Sequence, residues 1–134
     1  MTDPHNPRQN HLLEALPAAE YDRLLPHLEL VPMPLGEVIY ESGDKLRYAY
    51  FPTTCIVSLL YIMENGASTE VAVVGNEGMI GVALFMNGGT MPNRAVIVSG
   101  GYAYRLRVQL LMKEFERFGG RRSGALHHLL LRYI

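Results

Sequence analysis

Apolar residues recur first at helical spacing, then in short alternating runs, then at helical spacing again. Leu12, Leu13 and Leu16 fall on one helical face behind Asn10, a residue suited to an N-cap, and Pro17 ends that segment. From Ala18 the spacing returns in Tyr21, Leu24, Leu25 and Leu28, with Pro26 predicting an end or a kink. Residues 1–9, polar and carrying Pro4 and Pro7, read as a frayed tail.

From Leu30 the texture changes to short apolar runs broken by turn residues. Val31 to Leu35 contains two prolines and predicts an edge strand, because proline cannot donate to a ladder. Gly36 leads into Glu37-Val38-Ile39-Tyr40, and Glu41-Ser42-Gly43-Asp44 has the composition of a turn. Tyr48 to Phe51 is a strand closed by Pro52. Ile56 to Met63 and Thr69 to Val74 flank Asn65-Gly66, a pair that predicts a hairpin with left-handed backbone at both positions. Gly75 to Gly89 reads as a turn, one helical turn and a loop around Val82 to Met86. Ala95 to Val98 and Tyr102 to Leu106 are further strands joined at Ser99-Gly100-Gly101. Val108, Leu111, Phe115 and Phe118 then share a helical face that Gly119-Gly120 stop, and Leu126, Leu129, Leu130 and Tyr133 form a last apolar stripe, read as a dimerisation surface. Helices around about eight closely spaced strands predict a mainly β fold: a jelly-roll (double-stranded β-helix) barrel flanked by N- and C-terminal helices.

Composition narrows the function. One domain suits 134 residues, and a formal net charge of −1 gives no overall footprint for nucleic acid. The basic residues from Arg105 onward (Arg105, Arg107, Lys113, Arg117, Arg121, Arg122, Arg132) read as solvated helix faces. A lone cysteine, Cys55, gives no internal disulfide, and no apolar run is long enough for a membrane helix. The polar start does not resemble a signal peptide, and a cytoplasmic location is expected.

The ordered set Leu35-Gly36-Glu37-Val38-Ile39-Tyr40-Glu41-Ser42-Gly43-Asp44, Tyr48 to Phe51, Ile56 to Leu59, Asn65-Gly66, Gly78-Met79-Ile80-Gly81 and Arg94-Ala95-Val96 resembles the cyclic-nucleotide-binding domain. Tyr50-Phe51-Pro52-Thr53-Thr54 and Val74-Gly75-Asn76-Glu77-Gly78 are similar to Crp/Fnr-type transcription regulators in particular. The resemblance implies a regulatory sensor domain over residues 10–134, truncated before a helix-turn-helix domain, which needs on the order of 60–80 further residues. It implies no DNA binding by this chain alone, a small-molecule effector, a homodimer in the full-length protein and no membrane partner.

In that family a phosphate is held by backbone N–H groups at the start of a short helix and by an arginine, and a carboxylate holds the ribose. The resemblance places a ligand at Gly78, Gly81, Val82, Ala83, Asn93, Arg94 and Ala95. Two positions depart from the pattern. Val82 follows Gly81 where the ribose-binding glutamate belongs, and Asn93-Arg94 precedes Ala95, so the arginine comes one place late. A one-residue shift in a strand turns a side chain to the opposite face, so cyclic AMP or GMP in the standard mode is disfavoured. No cofactor is assigned. The structural alternative is that the glycines serve turns, that Leu84, Phe85 and Met86 plug the barrel mouth, and that Arg94 pairs with Glu70 or Glu77.

Other chemistries find little support. A metal cupin needs histidines on barrel strands, whereas His5, His11, His27, His127 and His128 fall in the tail or helices. An iron–sulfur cluster needs several cysteines. Cys55 reads as a small buried hydrophobe, strained if its position demands left-handed backbone. Ser58, Ser68 and Ser99 have no nearby histidine, and no phosphate-loop motif occurs, so no catalytic residue is assigned and no enzyme is expected. The alternative to a sensor is an unliganded interaction or dimerisation module.

Overall fold

The computed structural model describes residues 5–81, 91 and 93–117. A 3-10 turn at Pro7–Gln9, capped by the Asn6 side chain, precedes two short helices, α1 (His11–Glu14) and α2 (Ala18–Leu24). Asn10 caps α1 through its side-chain oxygen, which accepts the N–H groups of Leu12 and Leu13. Pro17 begins α2 rather than ending α1, and Leu25–His27 around Pro26 tightens into a 3-10 turn. Seven described strands follow: β1 (Glu29–Met33), β2 (Val38–Tyr40), β3 (Tyr48–Pro52), β4 (Ile56–Ile62), β5 (Ser68–Val74), β6 (Arg94–Ser99) and β7 (Gly101–Arg107). They lead into helix α3 (Val108–Arg117).

The strands form two antiparallel sheets, in the orders β1-β7-β3 and β2-β6-β4-β5. The expected closed barrel is corrected to a β-roll of two facing sheets, since no described pairing closes one sheet onto the other. The physical reason lies at the corner between β1 and β2. Pro32 and Pro34 have no N–H to extend the first ladder, and Gly36, at φ 88°, turns the chain into the second sheet. There the Gly36 N–H meets Ile97 O at 2.7 Å and the Ile97 N–H meets Glu37 O at 2.9 Å.

Alternation on β3 and β7 gives the three-stranded sheet two buried faces. Ala49, Phe51 and Leu106 pack against Leu13, Leu16, Tyr21, Leu24 and Leu111 of the helical side. Val31, Tyr50 and Ala103 face the second sheet, where they meet Val57, Ala95 and Ile97. The result is three layers, helices on sheet on sheet, with a core on each side of the middle layer.

The hairpin is present, but its turn is of another kind. Only Gly66 has left-handed backbone (φ 88°), and Asn65 does not. Gly66 N–H bonds Met63 O at 2.9 Å and Met63 N–H bonds Ala67 O at 2.8 Å, which is a type I turn followed by a glycine bulge. Cys55 is likewise outside the left-handed region and carries no such strain. Arg105 and Arg107 lie on β7, not on a helix face.

Candidate functional site

The segment between β5 and β6 approaches its site along a fixed track. Ile80 exchanges two backbone hydrogen bonds with Tyr50, of 2.8 and 3.0 Å, and so adds to the free edge of β3. Met79 and Ile80, adjacent and buried, point into the two different cores. Asn10, fully buried, donates both side-chain hydrogens, to Pro52 O at 2.9 Å and to Gly78 O at 2.8 Å. One asparagine thus ties the first helix, the end of β3 and the turn at Gly78 together. Gly81 has φ 117°, and a Cβ there would lie 3.1 Å from Leu46 Cδ2 and 3.5 Å from Ala49 Cα. Glycine is required at that position both for conformation and for space.

Across the roll, Met91 is stitched to the turn after β2: Met91 N–H donates to Asp44 O and Gly43 N–H to Met91 O. On β6 the side chains then alternate. Ala95 and Ile97 are buried between the sheets, while Arg94 and Val96 take the other face. Arg94 donates through Nε to Glu41 Oε1 at 2.6 Å, an ion pair whose side chains are 37% and 50% exposed. Asn93 accepts a hydrogen bond at Oδ1 from the hydroxyl of buried Tyr40 at 3.1 Å. Burial pushes the Tyr40 hydroxyl well above the usual phenol range, which keeps it a neutral donor.

Of the residues expected to hold a ligand, Gly78, Gly81, Asn93, Arg94 and Ala95 are therefore placed, and Val82 and Ala83 lie outside the described residues. Leu126, Leu129, Leu130 and Tyr133 also lie outside them. Neither acidic partner suggested for Arg94 is used. Glu70 accepts from Ser58 at 2.6 Å, and Glu77 accepts the Gly75 N–H at 3.0 Å.

A second group on the same roll was not apparent in the sequence. Arg105 projects from β7 between the sheets, with its guanidinium 4.0 Å over the Tyr48 ring and its Nε 2.6 Å from Glu29 Oε1. Burial raises the Tyr50 hydroxyl, and a hydrogen bond with Arg105 partly offsets the effect. A cavity of about 170 Å³ opens beside them, lined among others by Val31, Glu37, Tyr50, Ile97 and Arg105. That is smaller than the roughly 300–1,000 Å³ of common ligand pockets, so it suits a small group rather than a whole nucleotide. The available signal was the parity of Arg105 with Ala103 on β7, both facing the second sheet.

No group of three or more metal-capable side chains occurs among the described residues. His5, His11 and His27 all precede β1. Among the described residues, no helix is long and apolar enough to cross a membrane.

Residues 30–118 match the family model of the cyclic nucleotide-binding domain. No curated protein matches the sequence. Among solved structures, the chain is similar to the catabolite activator protein of Thermus thermophilus, at 20% identity and a TM-score of 0.72, covering 91% of this chain and 55% of that one. It is similar to the N-terminal domain of a transcriptional regulator from Streptomyces coelicolor, at 21% identity and a TM-score of 0.69, covering 95% of this chain and 88% of that one. The sensor domain of the transcriptional regulator DNR from Pseudomonas aeruginosa matches at 17% identity and a TM-score of 0.71, covering 94% of this chain and 86% of that one. The chain thus spans about half the length of the Thermus protein and nearly all of the two isolated sensor-side domains. With a family match over more than half its length and the two-sheet roll described above, the chain belongs to the cyclic nucleotide-binding domain family.

Proposed function

We propose that the chain is the effector-sensing domain of a Crp/Fnr-type transcription regulator, and that its effector is a small molecule other than a cyclic nucleotide held in the family's usual manner. The observation that carries the second half is the arrangement of two adjacent residues. Arg94, the basic residue that opens β6, is turned out to Glu41, while Asn93 beside it is engaged by buried Tyr40. A phosphate held in the usual manner needs the guanidinium on the ligand side, and freeing Arg94 means breaking its 2.6 Å ion pair. Val82, standing where the ribose would meet a carboxylate, offers no hydrogen bond through its side chain.

The response runs from the roll to α3. Gly81 lies beside Leu46 and Ala49, with no room for a relaxed Cβ between them, and the Val108 N–H that opens α3 bonds Arg47 O, one residue beyond Leu46. An effector that binds more tightly to one position of this track than to another shifts the population of α3 positions by that difference in affinity. Dimerisation through Leu126, Leu129, Leu130 and Tyr133 belongs to the same reading. Promoter recognition belongs to a separate domain of the regulator, and catalysis has no part in it.

Amide spectra of the labelled chain, recorded against a metabolite panel that includes cyclic AMP and cyclic GMP, test the proposal. The expected result is a non-nucleotide compound that shifts Gly78, Gly81 and Asn93 together with the first turn of α3. A cyclic nucleotide that saturates those same shifts defeats the ligand assignment. A panel that moves none of them favours the unliganded interaction module instead.

A further inference from the structure

A cleft of about 380 Å³ lies where β3 and β7 meet the start of α3, and its described lining is Leu46, Arg47, Tyr48, Arg107, Val108 and Gln109. Its size falls within the range of small-molecule sites. Among its described lining residues two are arginines and none is acidic. Four other described arginines are occupied. Arg23, Arg94 and Arg105 pair with Glu114, Glu41 and Glu29, and Arg8 stacks 4.0 Å from the Tyr21 ring centre. Arg47 and Arg107, by contrast, have no carboxylate partner among the described residues, and both face one cleft.

The topology brings these charges together on purpose-built ground. Arg107 stands opposite Tyr48 in the β3–β7 ladder, and Arg47 immediately precedes that strand. Tyr48 is held by the Arg105 guanidinium, stacked 4.0 Å from its ring centre and itself paired with Glu29. The Val108 N–H bonds Arg47 O at 2.9 Å and fixes the loop to the first residue of α3. Tyr48 and Gln109 supply neutral hydrogen-bonding groups at the rim.

We infer that this cleft is an anion site for a phosphorylated small molecule, held by Arg47 and Arg107. Two guanidiniums match a phosphate dianion in charge and in their paired N–H geometry, and the volume leaves room for an organic body beside the phosphate. The cleft adjoins the Gly81 side of the roll through Leu46, and its test is told apart from that of the sensor proposal by shifts at Arg47, Tyr48 and Arg107 without shifts at Gly78 and Asn93. Its position at the junction of β7 and α3 makes α3 the element that a bound anion touches.

Inorganic pyrophosphate and phenyl phosphate are the probes, titrated at low ionic strength into the ¹⁵N-labelled chain. The expected result is saturable shifts at Arg47, Tyr48, Arg107 and Gln109, with both affinities falling as salt is raised. Arg47→Gln and Arg107→Gln should each weaken binding by about tenfold or more, whereas Arg8→Gln leaves it unchanged. Arg107→Lys keeps the charge but loses the fork, and should bind more weakly than the parent and more tightly than Arg107→Gln. The proposal is overturned if neither probe gives saturable shifts, if the shifts lie elsewhere, or if the double variant Arg47→Gln/Arg107→Gln binds as the parent does. The shift map of the unaltered chain decides the matter even if a variant fails to fold.

Discussion

Asn10 concentrates more structural work than any other described polar residue. Its oxygen caps α1, and its two amide hydrogens satisfy the carbonyls of Pro52 and Gly78. Losing a cap costs about 0.5–2 kcal/mol, and stranding buried acceptors costs roughly 1–3 kcal/mol more. Asn10→Ala should therefore destabilise the fold by about 3 kcal/mol in a urea titration. Asn10→Asp separates the two roles, because it keeps the cap and sets a carboxylate against two carbonyls. It should be as damaging as alanine near neutral pH and partly recover in acid, where the protonated form regains one donor. A variant as stable as the parent would mean that these bonds contribute little. Cys55 gives a second residue-scale test. Burial pushes its thiol from an ordinary value near 9 to about 11, so the folded chain keeps a proton that the unfolded chain gives up. The stability it contributes is complete below about pH 9 and is lost as the pH rises towards 11. Buried Tyr21, Tyr40 and Tyr50 are raised as well and act in the same direction at higher pH. Stability should fall from pH 9 upwards, and Cys55→Ala should flatten the first part of that fall; identical pH profiles for the two would contradict it.

At the scale of the element, Gly66 is the test of the β4–β5 turn. With φ 88° at Gly66 and no left-handed residue at Asn65, Gly66→Ala should cost about 1 kcal/mol, and Asn65→Ala much less. Comparable losses at both positions would indicate the two-residue turn that Asn-Gly suggests by composition. The same turn marks where the sequence was legible and where it was not. Short apolar runs bounded by turn residues located every described strand to within a few residues. They say nothing of which strands become neighbours. Arg94 meets Glu41 only because β2 lies beside β6, an adjacency between residues 53 apart that alternation cannot encode. Glu70, the partner first expected for Arg94, is instead held by Ser58 on the neighbouring strand. Arg105 was hidden for a related reason. It opens a basic run that continues into α3, and only its pairing with Glu29 and Tyr50 shows that it faces between the sheets.

At the scale of the molecule, the middle sheet carries a helical core on one side and the second sheet on the other. On the proposed reading, a change within the roll would reach the helices through that sheet, whose β3 and β7 contribute to both cores. Gly81 is a close approach on this route, since a Cβ there would lie 3.1 Å from Leu46 Cδ2 and 3.5 Å from Ala49 Cα. Gly81→Ala should destabilise the chain by about 1–3 kcal/mol and shift the amides of β3, and unchanged spectra would show that the contact is loose. The family resemblance was readable from glycine and aromatic positions, which set the roll. The departures from its ligand pattern were readable from the displaced arginine, and the structure adds where that arginine goes. The β6 arginine, Arg94, is committed to Glu41, and on the proposed reading the domain takes no cyclic nucleotide in the usual manner. Calorimetric titration of cyclic AMP into the purified chain, alongside Arg94→Gln, tests it most directly. No saturable heat is expected from either protein; tight binding by the parent that Arg94→Gln abolishes would overturn the ligand assignment.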